Sequence, residues 1–146
     1  MTLEQEESKL WLNRTYKEFE VIQTMKTKLE TVRASVNKAV NPMGARETTG
    51  NADLNPQEKK LAAMIDLETN ISEREAVLFE ADIVTLDVIN KLSNLREQVV
   101  LIERYVNHKQ WREIEKAIHY GHAQTFRIHD DGLAHIYEYI PKGVAG

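Results

Sequence analysis

The chain contains no cysteine, only three prolines and six glycines, and few aromatic residues, which make up 7% of its 146 positions. The lack of cysteine excludes disulfide bridges and thiolate metal sites, and it makes a reducing cytoplasm the default compartment. The first residues are acidic and contain no apolar run, so they predict no signal peptide. Because no apolar stretch approaches the length of a transmembrane helix, we expect a cytoplasmic protein with no membrane partner.

An excess of positive charge is also lacking, since the formal net charge is -4 at pH 7. The acidic excess lies before residue 90, whereas all five histidines lie after it. Protonated histidines beside a phosphate would add positive charge to this second part. The charge distribution therefore gives weak support to nucleic-acid binding.

Motifs of catalysis and metal binding are missing as well. The sequence has no nucleophile elbow, no phosphate-binding glycine loop, no HExxH and no CxxC. His122 and His129 are seven residues apart on one predicted helical face, but zinc requires four well-placed ligands. We therefore expect no enzyme activity, no cofactor and no metal site.

Two long stretches without glycine or proline have helical periodicity. In the first, from residue 3 to about residue 40, apolar residues recur at steps of three and four, and from Ile22 onward the spacing is that of a coiled coil. The second runs from residue 56 to about residue 90, with Asn55 as N-cap and Pro56 at the first helical position. The predicted stripes are Leu12, Tyr16, Phe19, Ile22, Met25, Leu29, Val32, Val36 and Ala39 on the first helix, and Leu61, Met64, Ile65, Ile71, Leu78, Ala81, Leu86, Ile89 and Leu92 on the second.

The segment 41–55 between these helices is polar and aperiodic, so it predicts a loop. Residues 1–90 then form an antiparallel helical hairpin. A lone pair of helices buries little area, and we expect a partner chain to complete the core, giving a homo-oligomer, either a dimer or a tetramer.

The last third of the chain predicts three short helices with tight breaks. The first follows a cap at Asn90 or Ser93 and runs to about residue 106, the second spans 111–119, and the third spans about 122–140 after a turn at Gly121. This is the pattern of a helix-turn-helix over 91–140, followed by a tail over 141–146. The spacing of a three-helix core is found in Val100, Leu101, Tyr105, Trp111, Ile114, Ile118, Ile128, Leu133 and Ile136.

The polar side chains of the third helix are the candidate binding residues. Gln124 and Arg127 are of the types that pair with adenine and guanine edges in the major groove. The residues predicted to point away from the core are His122, Ala123, Gln124, Phe126, Arg127, Asp130 and Asp131, and the candidates for phosphate contact are Arg96, Arg104, Lys109, Arg112 and Lys116. The alternative is that these are ordinary solvated charges.

Several segments resemble known families. Residues 95–137 resemble the C-terminal promoter-binding region (region four) of bacterial sigma factors, and residues 120–129 are similar to the Tyr-Ser-x-x-x-x-Tyr-Arg-Ile-His pattern of phage-encoded ArpU/RinA-like late transcription regulators of Gram-positive hosts. Residues 16–24 and 65–68 resemble the same phage family. In the sigma-like pattern the base-reading positions fall on His122, Ala123, Phe126 and Arg127, with Arg112 and Lys116 near the DNA backbone.

The sequence departs from that pattern in four ways. Gly121 replaces the usual Ser or Thr cap, and Gly132 lies inside the predicted recognition helix, where glycine costs about 1 kcal/mol relative to alanine. Phe126 replaces a Tyr or Arg. The pair Asp130 and Asp131 would repel phosphates if it faced DNA.

The resemblance implies a phage or prophage transcription regulator that binds double-stranded DNA in the cytoplasm of a bacterial host. One alternative is a small terminase subunit that recognises packaging DNA, although those proteins usually place the DNA-binding part first. Another is a coiled-coil adaptor that binds host RNA polymerase or another phage factor. The net charge of -4 and the two aspartates favour the adaptor.

Overall fold

The computed structural model describes residues 1–40 and 55–142, except for the side chains at 39 and 40, and every regular element in these ranges is helical. The predicted all-α class is confirmed. The predicted loop 41–55 lies outside the described residues except for residue 55, and the predicted tail 141–146 lies outside them except for residues 141 and 142. Within the described ranges the six α-helices are α1 (Leu3–Leu12), α2 (Tyr16–Val40), α3 (Pro56–Ile89), α4 (Leu95–Tyr105), α5 (Trp111–Ile118) and α6 (His122–Ile136).

The prediction of one unbroken first helix is wrong, because a 3-10 turn over Asn13–Thr15 separates α1 from α2. The backbone N–H of Asn13 ends α1 by bonding to the carbonyls of Lys9 and Trp11. Leu12, just before this turn, and Thr15, its last residue, are both buried. At the other end of α1, Thr2 and Gln5 form a reciprocal capping box that supplies partners for the first free N–H groups.

The described residues divide into two compact units, which are Met1–Lys17 together with Phe79–Gly146, and Glu18–Leu78. This division differs from the boundary predicted at residue 90. The physical reason is that Leu12, Val88 and Ile89 are buried in the same apolar cluster as side chains of α4 and α6. Periodicity identifies the apolar side chains of α1, but it does not say which helices will cover them.

The first unit, Met1–Lys17 with Phe79–Gly146, has its core between α1, the end of α3, α4 and α6. The side chains of Leu12, Ile89, Leu101, Leu133 and Ile136 are at most 1% exposed. At about 25 cal/mol per Å² of buried apolar surface, each fully buried Leu or Ile contributes roughly 1.5–3 kcal/mol of transfer free energy. Of the core predicted from spacing, Trp111, Ile118 and Ile128 are only partly buried.

The second unit, Glu18–Leu78, consists of the paired parts of α2 and α3. Its buried cluster contains Ile22, Leu29 and Ile71, with Met25, Met64, Leu67 and Leu78 packed around them. Three ion pairs connect the two helices, at 2.7 Å for Lys26–Glu75, 2.6 Å for Arg33–Glu68 and 2.9 Å for Arg74–Glu18. All six partners are more than a third exposed, so each pair adds little stability but favours this alignment.

The predicted apolar stripes of the two long helices differ in how far they are buried within the chain. Ile22, Leu29 and Val36 of α2 are buried, so this part of the α2 stripe is covered within the chain and not by a partner. Leu61 and Ile65, which belong to the stripe predicted on α3, are 44% and 51% exposed within this chain. A periodic stripe does not distinguish residues that face another helix of the same chain from residues that remain open.

The helix ends in the last third also differ in detail. The N-cap of α4 is Asn94, whose side chain accepts from the N–H groups of Arg96 and Glu97, so Asn90 and Ser93 were wrong predictions. The α6 helix ends at Ile136 rather than near residue 140, and a 3-10 turn over Tyr137–Tyr139 follows it.

Gly132 is buried on α6, where an added Cβ would lie 3.3 Å from Leu101 Cδ1 and 3.4 Å from Glu97 Cβ. The glycine therefore allows α4 and α6 to approach closely.

Candidate functional site

Only three residues separate α5 from α6. The C-cap of α5 is His119, which adopts the left-handed conformation (φ 61°), and Gly121 is the N-cap of α6 with an ordinary φ of -74°. The left-handed backbone conformation therefore occurs at His119 and not at Gly121, the residue that the sequence suggested as the turn. Gly121 offers no capping side chain, as expected, and its carbonyl accepts from Thr125 N–H at 3.0 Å to close the first turn of α6.

One face of α6 is open to solvent. Ala123, Gln124 and Arg127 are exposed in its first half, and Asp131, Ala134 and His135 are exposed in its second half. At 100° per residue these six residues occupy about a third of the helix circumference. Apart from His122 at the start of the helix, the residues on the remaining circumference are buried or partly buried. Gln124 and Arg127 therefore share one open face, and Asp131 lies one turn beyond Arg127 on the same face.

Phe126 lies in a different environment from Gln124 and Arg127. Its side chain is partly buried, and its ring centroid is 4.3 Å from that of Trp111 and 4.4 Å from that of His122. His122 is exposed, but its Nδ1 lies 2.8 Å from a carboxylate oxygen of Glu115 on α5. Phe126 and His122 therefore help to hold α6 against α5, and both have partners that a base contact would have to displace.

The cations predicted to contact phosphates are arranged differently from one another. Arg112 and Lys116 are exposed on α5, four residues apart, and thus lie on one face of that helix. Lys109 instead has its Nζ 2.7 Å from Glu103 Oε2. Hydrogen bonds from Lys109 and Asn107 lower the pKa of Glu103, so the carboxylate stays ionised beside Lys109. Lys109 is consequently a weaker candidate for phosphate contact than Arg112 and Lys116.

Two further arginines are close to the α5–α6 segment. The Arg96 guanidinium lies over the ring of Tyr120, 4.7 Å from its centroid, in the connection that leads into α6. The Arg104 guanidinium lies 4.8 Å from the centroid of the Trp111 ring, and its Nη1 donates to the carbonyl of Lys109 at 2.9 Å. Arg96 is exposed and Arg104 is partly buried, so they differ in their access to a bound molecule.

A buried polar chain crosses from α4 to α6. Tyr105 Oη is 2.7 Å from His129 Nε2, and His129 Nδ1 is 3.0 Å from Asp130 Oδ1. Because a carboxylate can only accept, Nδ1 carries the proton of the neutral imidazole, and Nε2 accepts from the tyrosine hydroxyl. Tyr105 and His129 are each 2% exposed, and burial lowers the pKa of His129, so the imidazole stays neutral.

Sequence reasoning missed two features of this region. One is α1, which packs along α6, with Gln5 Nε2 donating to the Asp130 carbonyl at 2.9 Å and Ser8 fully buried. The other is the ion pair in which His135 Nδ1 lies 2.9 and 3.1 Å from the two oxygens of the buried Glu97 carboxylate. The apolar pair Trp11 and Leu12 was the sequence signal for the packing of α1, and we find no sequence signal for the pairing of His135 with Glu97.

His122 and His129, the pair weighed as metal ligands, have separate hydrogen-bond partners in Glu115 and in the buried polar chain. Across 1–40 and 55–142 there is no group of three or more His, Asp or Glu residues arranged to hold a metal ion. No helix in the same ranges has the length and apolar character needed to cross a membrane.

Comparisons of the chain with protein-family models, with curated proteins and with solved structures found no match.

Proposed function

We propose that the α5–α6 segment binds double-stranded DNA as a helix-turn-helix and that the chain is a phage or prophage transcription regulator. The observation that carries the proposal is the open face of α6, where Gln124 and Arg127 are exposed within one turn of each other. These two side-chain types make bidentate hydrogen bonds with adenine and guanine edges. In this proposal α5 braces α6, and the first half of α6 enters the major groove.

The phosphate contacts in this proposal come from the neighbouring cations. Arg112 and Lys116 are exposed on one face of α5, and Arg96 is exposed beside the connection to α6. Such contacts position a protein on DNA without reading its sequence, and they make the affinity depend on salt. Lys109 contributes less because of its ion pair with Glu103.

The second half of α6 is less suited to DNA. Asp131 is exposed on the same face as Arg127, and its carboxylate would repel nearby phosphates. Glu4, Glu6 and Glu7 are exposed on α1, the helix that packs along α6. The proposed contact with base edges is therefore limited to residues 122–127.

Self-association is a second part of the proposal, and the second unit, Glu18–Leu78, supports it. Leu61, Ile65 and Val77 are 44%, 51% and 66% exposed on α3, while only a few apolar side chains of this unit are buried. A pair of helices with so small a core gains stability when another chain covers such residues. We propose a homodimer or homotetramer that uses Leu61 and Ile65 instead of the α2 stripe.

The adaptor function remains a second candidate. In the first unit, Phe79, Ile83 and Val84 at the end of α3 are 64%, 42% and 45% exposed. An exposed apolar patch of this kind is typical of protein-binding surfaces. A protein such as host RNA polymerase could cover this patch whether or not α6 reads DNA.

The test is a selection of sequences by the full chain from a random 24-base-pair duplex library, followed by fluorescence anisotropy on the enriched duplex. We expect enrichment of a sequence motif and an affinity that falls as salt rises. Arg112→Ala and Lys116→Ala should each weaken binding to all duplexes and reduce the salt slope by about one. Lys28→Ala, an exposed lysine of α2, is the matched control and should change neither quantity. If no motif is enriched and the anisotropy does not change at low salt, DNA binding by α5 and α6 is wrong and the adaptor function is favoured instead.

A further inference from the structure

A cavity of about 190 Å³ opens where α1, α4, α5 and α6 of the first unit meet. Most of its lining side chains are aromatic rings or charged groups. The residues that matter for the argument are Lys9, Arg104, Trp111, Phe126, His129 and Asp130. No part of this cavity belongs to the exposed face of α6 that holds Gln124 and Arg127.

The aromatic side of the cavity is already ordered. The Trp111 ring centroid is 4.3 Å from that of Phe126 and 4.9 Å from that of His129, with the last pair nearly perpendicular. His129 cannot rotate freely because both its ring nitrogens have partners, in Tyr105 and Asp130. Ordered rings of this kind favour a flat ring as ligand, bound by offset stacking or edge contacts.

The charged side of the cavity has a positive excess. Lys9 and Arg104 are opposed by Asp130, which already accepts from His129, and His129 itself is neutral because it is buried. Arg104 donates one hydrogen bond to the Lys109 carbonyl, which leaves further guanidinium N–H groups in a fixed orientation above Trp111. An anionic group is the natural ligand for such a pair of cations.

We propose that this cavity binds a small aromatic carboxylate, with its ring against the exposed edges of the contacting pair Trp111 and Phe126 and its carboxylate at Arg104 and Lys9. The volume corresponds to roughly six water molecules, which limits the ligand to one ring with its carboxylate. The bound molecule contacts α1, α5 and α6 at once, so it stabilises the packing of α1 on the helices of the proposed DNA contact. The site does not depend on DNA binding.

The test uses the full chain carrying Trp11→Phe, which leaves Trp111 as the only tryptophan. Benzoate is titrated against its neutral isostere benzamide and against acetate, which lacks the ring, and both Trp111 fluorescence and the melting temperature are recorded. We expect benzoate to give a saturable fluorescence change and a higher melting temperature. Benzamide and acetate should bind at least roughly tenfold more weakly, since a charge-assisted hydrogen bond and the ring contacts are lost respectively.

Two variants locate the site. Arg104→Met should weaken benzoate roughly tenfold or more, and Lys9→Met, which alters an exposed side chain, should weaken it roughly two- to fivefold. Lys17→Met removes the same charge from an exposed position of the first unit outside the cavity and should leave the titration unchanged. If Arg104→Met fails to fold, the benzoate titration of Lys9→Met tests whether the ligand binds in this cavity. Equal binding of benzoate and benzamide, a linear titration, or an effect of Lys17→Met equal to that of Lys9→Met would overturn the proposal.

Discussion

The buried chain from Tyr105 through His129 to Asp130 allows a quantitative prediction about stability. Tyr105→Phe removes the hydroxyl that donates to His129 Nε2 at 2.7 Å, and the acceptor is left in a site where the imidazole is 2% exposed. An unsatisfied buried acceptor costs about 1–3 kcal/mol. For a protein of this length, the melting temperature should fall by roughly 3–10 °C.

A double-mutant cycle separates the hydrogen bond from the loss of packing. His129→Leu alone should also destabilise the protein, because it leaves the Tyr105 hydroxyl buried without its acceptor. When both changes are combined neither polar group remains, so the double variant should be more stable than the sum of the single variants predicts, by at least about 1 kcal/mol. The assay is urea unfolding followed by circular dichroism. Tyr120→Phe, at a partly buried tyrosine, is the control and should change the free energy of unfolding by less than about 0.5 kcal/mol.

The same chain predicts a dependence on pH. Burial lowers the pKa of His129 below 6.5, so the unfolded state takes up a proton first as the pH falls. Stability is therefore fully present above pH 6.5 and is lost as the pH falls towards the pKa of the folded state. The His129→Leu variant should show a smaller loss over this interval. Strict additivity in the cycle, together with an unchanged pH profile in His129→Leu, would refute the hydrogen-bond chain.

Three further predictions concern packing, assembly and charge. Gly132→Val should destabilise the protein by about 1–3 kcal/mol in urea unfolding, because its Cβ alone meets Leu101 and Glu97 at 3.3–3.4 Å; an unchanged stability would contradict the close approach of α4 and α6. Leu29→Asp should reduce helicity, since Leu29 is 7% exposed in the second unit. Leu61→Lys, at a residue that is 44% exposed, should preserve helicity and lower the mass measured by light scattering. An unchanged mass for Leu61→Lys would exclude this surface as the oligomer contact. Asp131→Asn should strengthen DNA binding by roughly two- to fivefold in anisotropy, and unchanged or weaker binding would place Asp131 away from the phosphates.

Periodicity and helix-capping rules were sufficient for much of the first unit. The α6 helix begins after Gly121 as predicted, and Val100, Leu101, Ile114, Leu133 and Ile136 are buried as their spacing predicted. Local rules succeed here because these helices are short and strongly amphipathic. Their contacts are also close in sequence, so few alternative packings compete.

Long-range packing could not be predicted in the same way. Ser8 is fully buried on α1 although a serine gives no apolar signal, and α1 packs along α6, which is more than a hundred positions away in sequence. Within the candidate site, spacing placed Phe126 among the outward-facing residues, but contacts with Trp111 and His122 hold it partly buried. A helical projection gives the direction of a side chain, and the partner that meets it is set by the tertiary fold.

The central claim is that Arg127 reads a base pair from the open face of α6. It is tested most directly by comparing Arg127→Ala with the unaltered chain on the selected duplex and on a scrambled duplex of the same length. The account predicts a loss of about 1–3 kcal/mol on the selected duplex, with relaxed preference at a single base pair and a much smaller change on the scrambled one. An equal loss on both duplexes would mean that Arg127 contacts only the DNA backbone, and unchanged binding on both would contradict DNA reading by α6.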